Sequence, residues 1–526
     1  MLGSLFLVWI FICLIFLFIR IQKPKNFPSG PRPVPIFGNL FQLNINNPLK
    51  DFERFAERYG NVYSLYIGAR PAVVLTGLKA VKEALVTNAA TFSGRPKNLI
   101  SNHVSKGKGV IFADYGPVWK EHRRFALMTL RNFGMGKRSM EERILGEIEH
   151  LVARLEQSAG GYMNPQTLFH DAASNIIYLV LFGIRHDYGD STLQEYVRCF
   201  TENTRIANGP WGMIYDTLPM LRSLPLPFKK IFENDKKNRQ KVINMIEKHK
   251  TSRVPGEPRD FVDCYLDELD KRGGDESSMD KGQLVRYIVD LHIAGTDTTS
   301  NTLLTAFLYL TTHPSIQERC QQEIDEVLEG KTHASFEDRH KMPYTQAVIH
   351  ECLRIAKTVP LSVFHCTTKD TELMGYSIPQ GTIIIPNLAS VLSEEGQWKF
   401  PHEFNPENFL NEQGQFEKPE ALIPFCAVQG RGGSRAYLES LGARQEYTLE
   451  GAPVLHRATQ THTHSLTSTN TFVSPIHLPT CVFGLWEETG APGGNPRRHG
   501  ENTLHSSQTV TWSGNRTHNL QVPGAV

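Results

Sequence analysis

Cysteine is scarce, with 8 in 526 residues and no two spaced as C-x-x-C. That excludes a disulfide scaffold and a zinc-finger protein. Neither sign of charge is in excess: 56 basic residues face 54 acidic ones, a net charge of +2. A protein driven onto nucleic acid by charge is excluded by that balance. Long hydrophobic runs are lacking except for one, Met1–Ile19, which holds no charge and no proline. Lysine is absent after Lys418. What remains is ample for a core, since 40% of residues are apolar and 10% aromatic. The length fits one large domain or a few ordinary ones.

The apolar run sets the expected compartment. At 1.5 Å per residue, Met1–Ile19 reaches about 28 Å, close to one hydrocarbon core. Arg20, Lys23 and Lys25 follow it and no basic residue precedes it. The positive flank stays cytosolic, so residues 1–20 read as an anchor with the body on the cytosolic face. A cleaved signal peptide fits poorly, because a basic n-region and a small-x-small cleavage site are both missing. Residues 21–36 follow as a proline-rich linker, with Pro28, Pro31, Pro33 and Pro35 close together. Proline fixes φ and forbids a helix, so this stretch reads as a stiff spacer.

Residues 37–426 read as one mostly helical domain. Helical periodicity recurs at Val118–Met128, Gly146–Leu155, Phe228–Lys250, Leu284–Leu310, Ile316–Val327 and Tyr344–Ala356. Strands are expected at Val62–Ile67 and Ala72–Leu75, with short β runs at Leu361–Cys366 and Thr382–Ile385. Arg253–Gly282 is rich in charge, Gly and Pro and is expected as a surface connection. The basic helix Phe228–Lys250 presents either a solvated face or a docking face. Trp211, Leu218, Met220 and Leu221 either touch a membrane near a substrate entrance or pack on the body.

Four patterns carry chemistry. Ala294-Gly295-Thr296-Asp297-Thr298-Thr299 interrupts the longest apolar helix. Gly costs a helix about 1 kcal/mol against Ala, and a buried Asp needs partners. Thr298 can bond the carbonyl one turn back or turn outward and leave a groove. Asp297 and Thr298 then form an acid–alcohol pair able to pass protons; a small-residue packing patch is the alternative. Glu351 and Arg354, at i and i+3 in an apolar helix, are expected to pair in the interior as a structural lock. Trp119 and Arg123 share a helix face, where an indole N–H and a guanidinium can hold a carboxylate or simply pack. Phe404-Asn405-Pro406-Glu407-Asn408-Phe409 is an ordered, proline-broken loop.

In this order and spacing the motifs resemble a cytochrome P-450, a haem-thiolate monooxygenase of the microsomal family-two type. His313-Pro314 and Met342-Pro343-Tyr344 fit the same likeness. The resemblance implies a mainly α fold with small β sheets and haem b against the long helix. It implies electrons from a flavoprotein reductase, with cytochrome b5 as a further partner, and the endoplasmic reticulum membrane as location. One oxygen atom would enter a small apolar substrate of xenobiotic, steroid or fatty-acid type, and no nucleic acid is implied. Asp297 and Thr298 would be the oxygen-activating pair. Trp119, Arg123 and His365 would hold haem propionates. Ala294, Gly295, Leu361 and Val363 would face substrate. Asn408 stands where many relatives have Arg.

The family's central motif is missing. Relatives carry F-x-x-G-x-R-x-C-x-G, with the ligating cysteine seven residues after Phe. Here that place after Phe425 is Gly432. A shifted match, Gly433-Ser434-Arg435-Ala436-Tyr437, offers Arg435 to a propionate and Tyr437 in place of Cys. Tyrosine ligates haem in other enzymes, though the insertion should misplace it. Cys426 and Cys481 lie outside the expected context. Residues 427–526 read as an aberrant, disordered tail, as if out-of-frame or inserted sequence were joined to a true coding region. Thr461-His462-Thr463-His464 is a weak metal pattern and Asn515-Arg516-Thr517 a sequon that a cytosolic tail would not expose. The alternative to a working oxygenase is therefore a membrane-anchored, inactive remnant or non-productive isoform.

Overall fold

The computed structural model describes residues 24–425 apart from 45–46, 133–137, 159–161, 274–277 and 332, together with Trp9, Phe11 and Val510–Thr511. The expected anchor lies outside these residues except for Trp9 and Phe11. Among the described residues no helix is long and apolar enough to cross a membrane.

Helices dominate, and one organises the rest. The central helix runs Lys281–Thr312, 32 residues. Asp280 caps it, accepting the Gln283 N–H at 2.7 Å. Its N-terminal half is buried all round, which suits an axis rather than a surface helix. The Pro165–Phe182 helix packs along it and is likewise almost wholly buried. Together they carry a core of Ile177, Val180, Leu181, Tyr287, Ile288 and Leu291. A second core surrounds the Pro343–Ala356 helix, with Val348, Cys352, Phe409 and Leu422.

The sheets are small. Val62–Ile67 pairs antiparallel with Arg70–Thr76, which pairs parallel with Ile383–Asn387, which pairs antiparallel with His365–Cys366. His365 stands opposite Ile384 in that register. A two-stranded ladder joins Thr371–Leu373 to Tyr376–Ile378. Val510–Thr511, the described part of the tail, pairs with Tyr162–Met163.

Three expectations change. Arg253–Gly282 contains a helix, Phe261–Lys271, whose Phe261, Val262 and Tyr265 are fully buried. Its charges mislead because Arg253 pairs with Asp267 and Arg259 with Asp263, whose carboxylates are thereby buried. Leu361–Phe364 is a turn, and the strand begins only at His365, after Ser362 takes a positive φ of 56°. The proline-rich stretch is no free spacer. Ser64 donates its N–H to Ser29 O and its hydroxyl to Pro28 O, both at 2.8 Å, which seats that stretch on the first strand.

Candidate active site

Between Gln283 and Phe307 the central helix is sealed except for one stripe. Ile293, Ala294, Asp297, Thr298, Asn301 and Leu304 are half-buried among fully buried neighbours. Their spacing follows the 3.6-residue turn, so one helix face borders an internal space. Threonines shape that helix. Thr298 Oγ1 donates to Ala294 O at 2.6 Å, Thr302 Oγ1 to Thr298 O at 2.8 Å and Thr305 Oγ1 to Asn301 O at 2.8 Å. Such back-bonding competes with the helix ladder and eases it open. Thr298 thus takes the first of its two expected positions.

Asp297 stands on the same stripe and keeps 32% of its side-chain surface, yet sits deep in the fold. Burial pushes its carboxyl up to about 6. His170 Nε2 lies 3.7 Å from its Oδ1. Gly295 faces the other way. A Cβ there would come within 2.3 Å of Ile177 Cδ1, so this glycine allows the Pro165–Phe182 helix to approach. Ala294 and Asp297 are on the open face; Gly295 is not.

The remaining residues gather around the loop Gly109–Ile111. Asp290 on the central helix accepts the N–H groups of Val110 at 2.8 Å and Ile111 at 3.1 Å. Gly109 has a positive φ of 89°, and any Cβ would meet Asp290 Oδ2 at 2.1 Å. Burial pushes the Asp290 carboxyl up to about 6, against the pull of Arg286 and these N–H groups. Trp119 donates its indole N–H to Val110 O at 3.0 Å, and the Arg123 guanidinium lies 5.0 Å from the Trp119 ring centre. The indole therefore meets a backbone carbonyl here rather than a carboxylate.

Arg95 joins this group and was not legible from motif spacing. It donates to Ile111 O at 2.9 Å and to Phe364 O at 3.1 Å. Its charge also acts on His365. Burial first and Arg95 second hold that imidazole well below its ordinary pKa, against a bond to Phe92 O at 2.9 Å. Leu361 and Val363, half-buried, occupy the turn before His365.

Glu351 and Arg354 are completely buried. Arg354 Nε and Nη2 each meet a Glu351 oxygen at 2.7 Å. The guanidinium also donates to the carbonyls of Leu392, Phe400, Pro401 and Glu403. Asn408 Nδ2 reaches Glu351, and its Oδ1 accepts the Phe400 N–H at 2.9 Å. Asn408 thus does with an amide what the loop requires.

The family model for cytochrome P450 matches residues 28–427. The chain belongs to the cytochrome P450 family. It is 40% identical to Cytochrome P450 2D3 of Rattus norvegicus over 454 residues, 85% of this chain and 90% of that protein. It is 40% identical to Cytochrome P450 2J2 of Homo sapiens over 431 residues, covering 82% and 84%. With Cytochrome P450 2B4 of Oryctolagus cuniculus the identity is 39% over 427 residues, covering 80% and 87%. Cytochromes P450 are haem-dependent monooxygenases, so the family's cofactor is haem.

The pocket residues fit that group. An open helix stripe suits a flat macrocycle, and Arg95, Arg123 and His365 bring donors suited to carboxylates. The thiolate does not follow. Burial pushes the thiols of Cys264 and Cys366 up to about 11 and Cys320 up to about 12. Cys352 lies in the core and is pushed well above its ordinary value. All four rest as neutral, packed thiols. The family match ends two residues past Phe425, and Cys426, Gly432, Arg435, Tyr437 and Cys481 lie outside the described residues.

Proposed function

We propose that residues 28–425 form the substrate and haem pocket of a microsomal-type monooxygenase acting on small apolar molecules of xenobiotic, steroid or fatty-acid type. The half-open stripe on the otherwise sealed central helix carries this reading. Ala294, Leu361 and Val363 touch substrate. Arg123, His365 and Arg95 would hold the carboxylates of haem b, with Trp119 bracing the loop through Val110 O and stacking under Arg123. Bound haem supplies the redox and oxygen chemistry. Asp297 holds and releases a proton at its carboxyl, which titrates close enough to neutral pH to do both. Thr298 gives the Ala294 carbonyl a second donor on the open face of the helix. Electrons come from a flavoprotein reductase, with cytochrome b5 as a second donor. Met1–Arg20 anchors the chain in the endoplasmic reticulum membrane with the body on the cytosolic side.

A second reading is favoured by the sequence after Phe425, where Gly432 stands in the cysteine's place. In it the chain keeps the pocket, lacks the thiolate and does not turn over. The reduced, carbon-monoxide difference spectrum of the full chain separates the two. A thiolate-type Soret band supports the oxygenase, and its loss in Cys426→Ser would name the ligand. A non-thiolate band, or none, supports the inactive member.

A further inference from the structure

A polar seam runs behind Asp297, between two antiparallel helices. Along it His170 meets Asp297 at 3.7 Å and Ser174 Oγ meets Thr296 Oγ1 at 3.3 Å. Tyr178 then meets His292, ring to ring, at 5.0 Å. Tyr196 closes on the other side of His292 at 4.4 Å. All of this lies within an apolar core, where polar groups are costly unless they serve something. Three atoms there have no hydrogen-bond partner among the described residues: His170 Nδ1, His292 Nε2 and Tyr196 Oη. Each belongs to a side chain that is at least nine-tenths buried. Orphaned buried atoms of this kind mark water sites or groups kept free for another purpose.

We propose that His170 is the positioning residue for Asp297, sharing one proton with it across the seam. The inference rests on the reading of Asp297 as the proton-handling group of the pocket. When Asp297 is ionised, His170 Nε2–H donates to Oδ1. When Asp297 is protonated, its O–H donates to the bare Nε2, and the imidazole carries its single proton on Nδ1. The imidazole stays neutral in both states: a proton taken up at Nδ1 sends the Nε2 proton onto the carboxylate, and release runs the same two transfers in reverse. No neighbour fixes the tautomer, because Nδ1 has no partner. The 3.7 Å separation must close to about 3 Å for either bond to form.

Other charges do not interfere. On the same helix, Asp171 is turned away to accept the Gly189 N–H. Glu147 is occupied by Arg185 and Asn175. On the central helix, Asp290 is occupied by Val110 and Ile111. His292 is held neutral by burial, then by His170 and His186, down to about 3. Burial holds His170 itself down to about 4.

The test needs no haem. Full-length chain in detergent is labelled with ¹⁵N-histidine and carboxyl-¹³C-aspartate; His170→Gln and Asp297→Asn assign the two signals. The expected result is a change of His170 tautomer at the same pH at which Asp297 titrates, absent in Asp297→Asn. His170→Phe should raise the Asp297 midpoint by about one pH unit, the usual scale for loss of one donor to a carboxylate. His170→Gln, which keeps an N–H donor, should restore it. A tautomer that ignores pH, or a midpoint unmoved in His170→Phe, overturns the proposal. The carbon-monoxide spectrum reads the fate of the haem independently, so the two readings fail separately.

Discussion

Two buried polar constellations lie in the same fold and are built on opposite terms. Glu351 and Arg354 form a closed lock. Every donor of the guanidinium meets an oxygen, and the carboxylate also takes Asn405 N–H at 2.7 Å. The seam behind Asp297 is open, with orphaned atoms, a long 3.7 Å contact and two imidazoles held uncharged. A saturated network specifies one geometry, because any change breaks several bonds at once. An unsaturated one leaves room for protons to move. Stability is concentrated in the first and adaptability in the second.

The largest effect should come from breaking the lock. Arg354→Ala leaves Glu351 buried and unpaired, and one-sided loss of such a pair costs about 3–5 kcal/mol. Urea unfolding of the haem-free chain should lose its cooperative transition or shift by that amount. Gly295→Ala tests whether the seam is close-packed although it is polar. Its methyl would meet Ile177 Cδ1 at 2.3 Å, and overpacking of this kind costs about 1–3 kcal/mol. Adding Ile177→Ala should recover part of the loss; a double variant no better than the single one would argue against helix approach as the role of Gly295.

The pH dependence separates the two networks further. His170 and His292 are depressed to about 4 and about 3 from 6.5, so the unfolded chain binds their protons more readily. Their contribution is complete above pH 6.5 and is lost as pH falls toward those values. Asp297, raised to about 6 from 3.8, acts in the other direction, and stability falls as pH rises between those values. His292→Phe should therefore flatten the acid-side fall of the thermal midpoint, and Asp297→Asn should raise the midpoint at pH 7. Neither change is expected of lock residues. The smallest contrast is Asn408→Ala against Ser174→Ala. The first strands the Phe400 N–H and removes one of several donors to Glu351, and should cost about 1–2 kcal/mol, while the second loses one long bond and should cost about 0.5 kcal/mol or less.

The lock was legible in the sequence because its signal is local. Glu and Arg at i and i+3 in an apolar helix have few other places to go. The central helix was legible for the same reason, and Lys281–Thr312 extends the periodic run only by a few residues at each end. The seam was not. Pro165–Phe182 is buried on all sides, so it has no polar stripe to mark a period, and His170, Asp171, Ser174 and Asn175 break the apolar pattern. Its partners lie far along the chain, 122 residues away in the case of Ser174 and Thr296. Arg95 escaped notice similarly, since it acts through Ile111 and Phe364 rather than through any motif of its own. Phe261–Lys271 was hidden by charges that neutralise one another.

The stitching of Pro28–Asn39 onto the first strand has a mechanical consequence. Ser64 holds Pro28 and Ser29, and Tyr66 exchanges bonds with Asn39 at 2.9 and 2.7 Å. From Pro28 onward the entry segment has no slack. Only the few residues from Arg20 to Phe27 separate the sheet from the apolar run, at most about 3.5 Å of reach for each. A grip on that run would hold the first strand within about 28 Å of it.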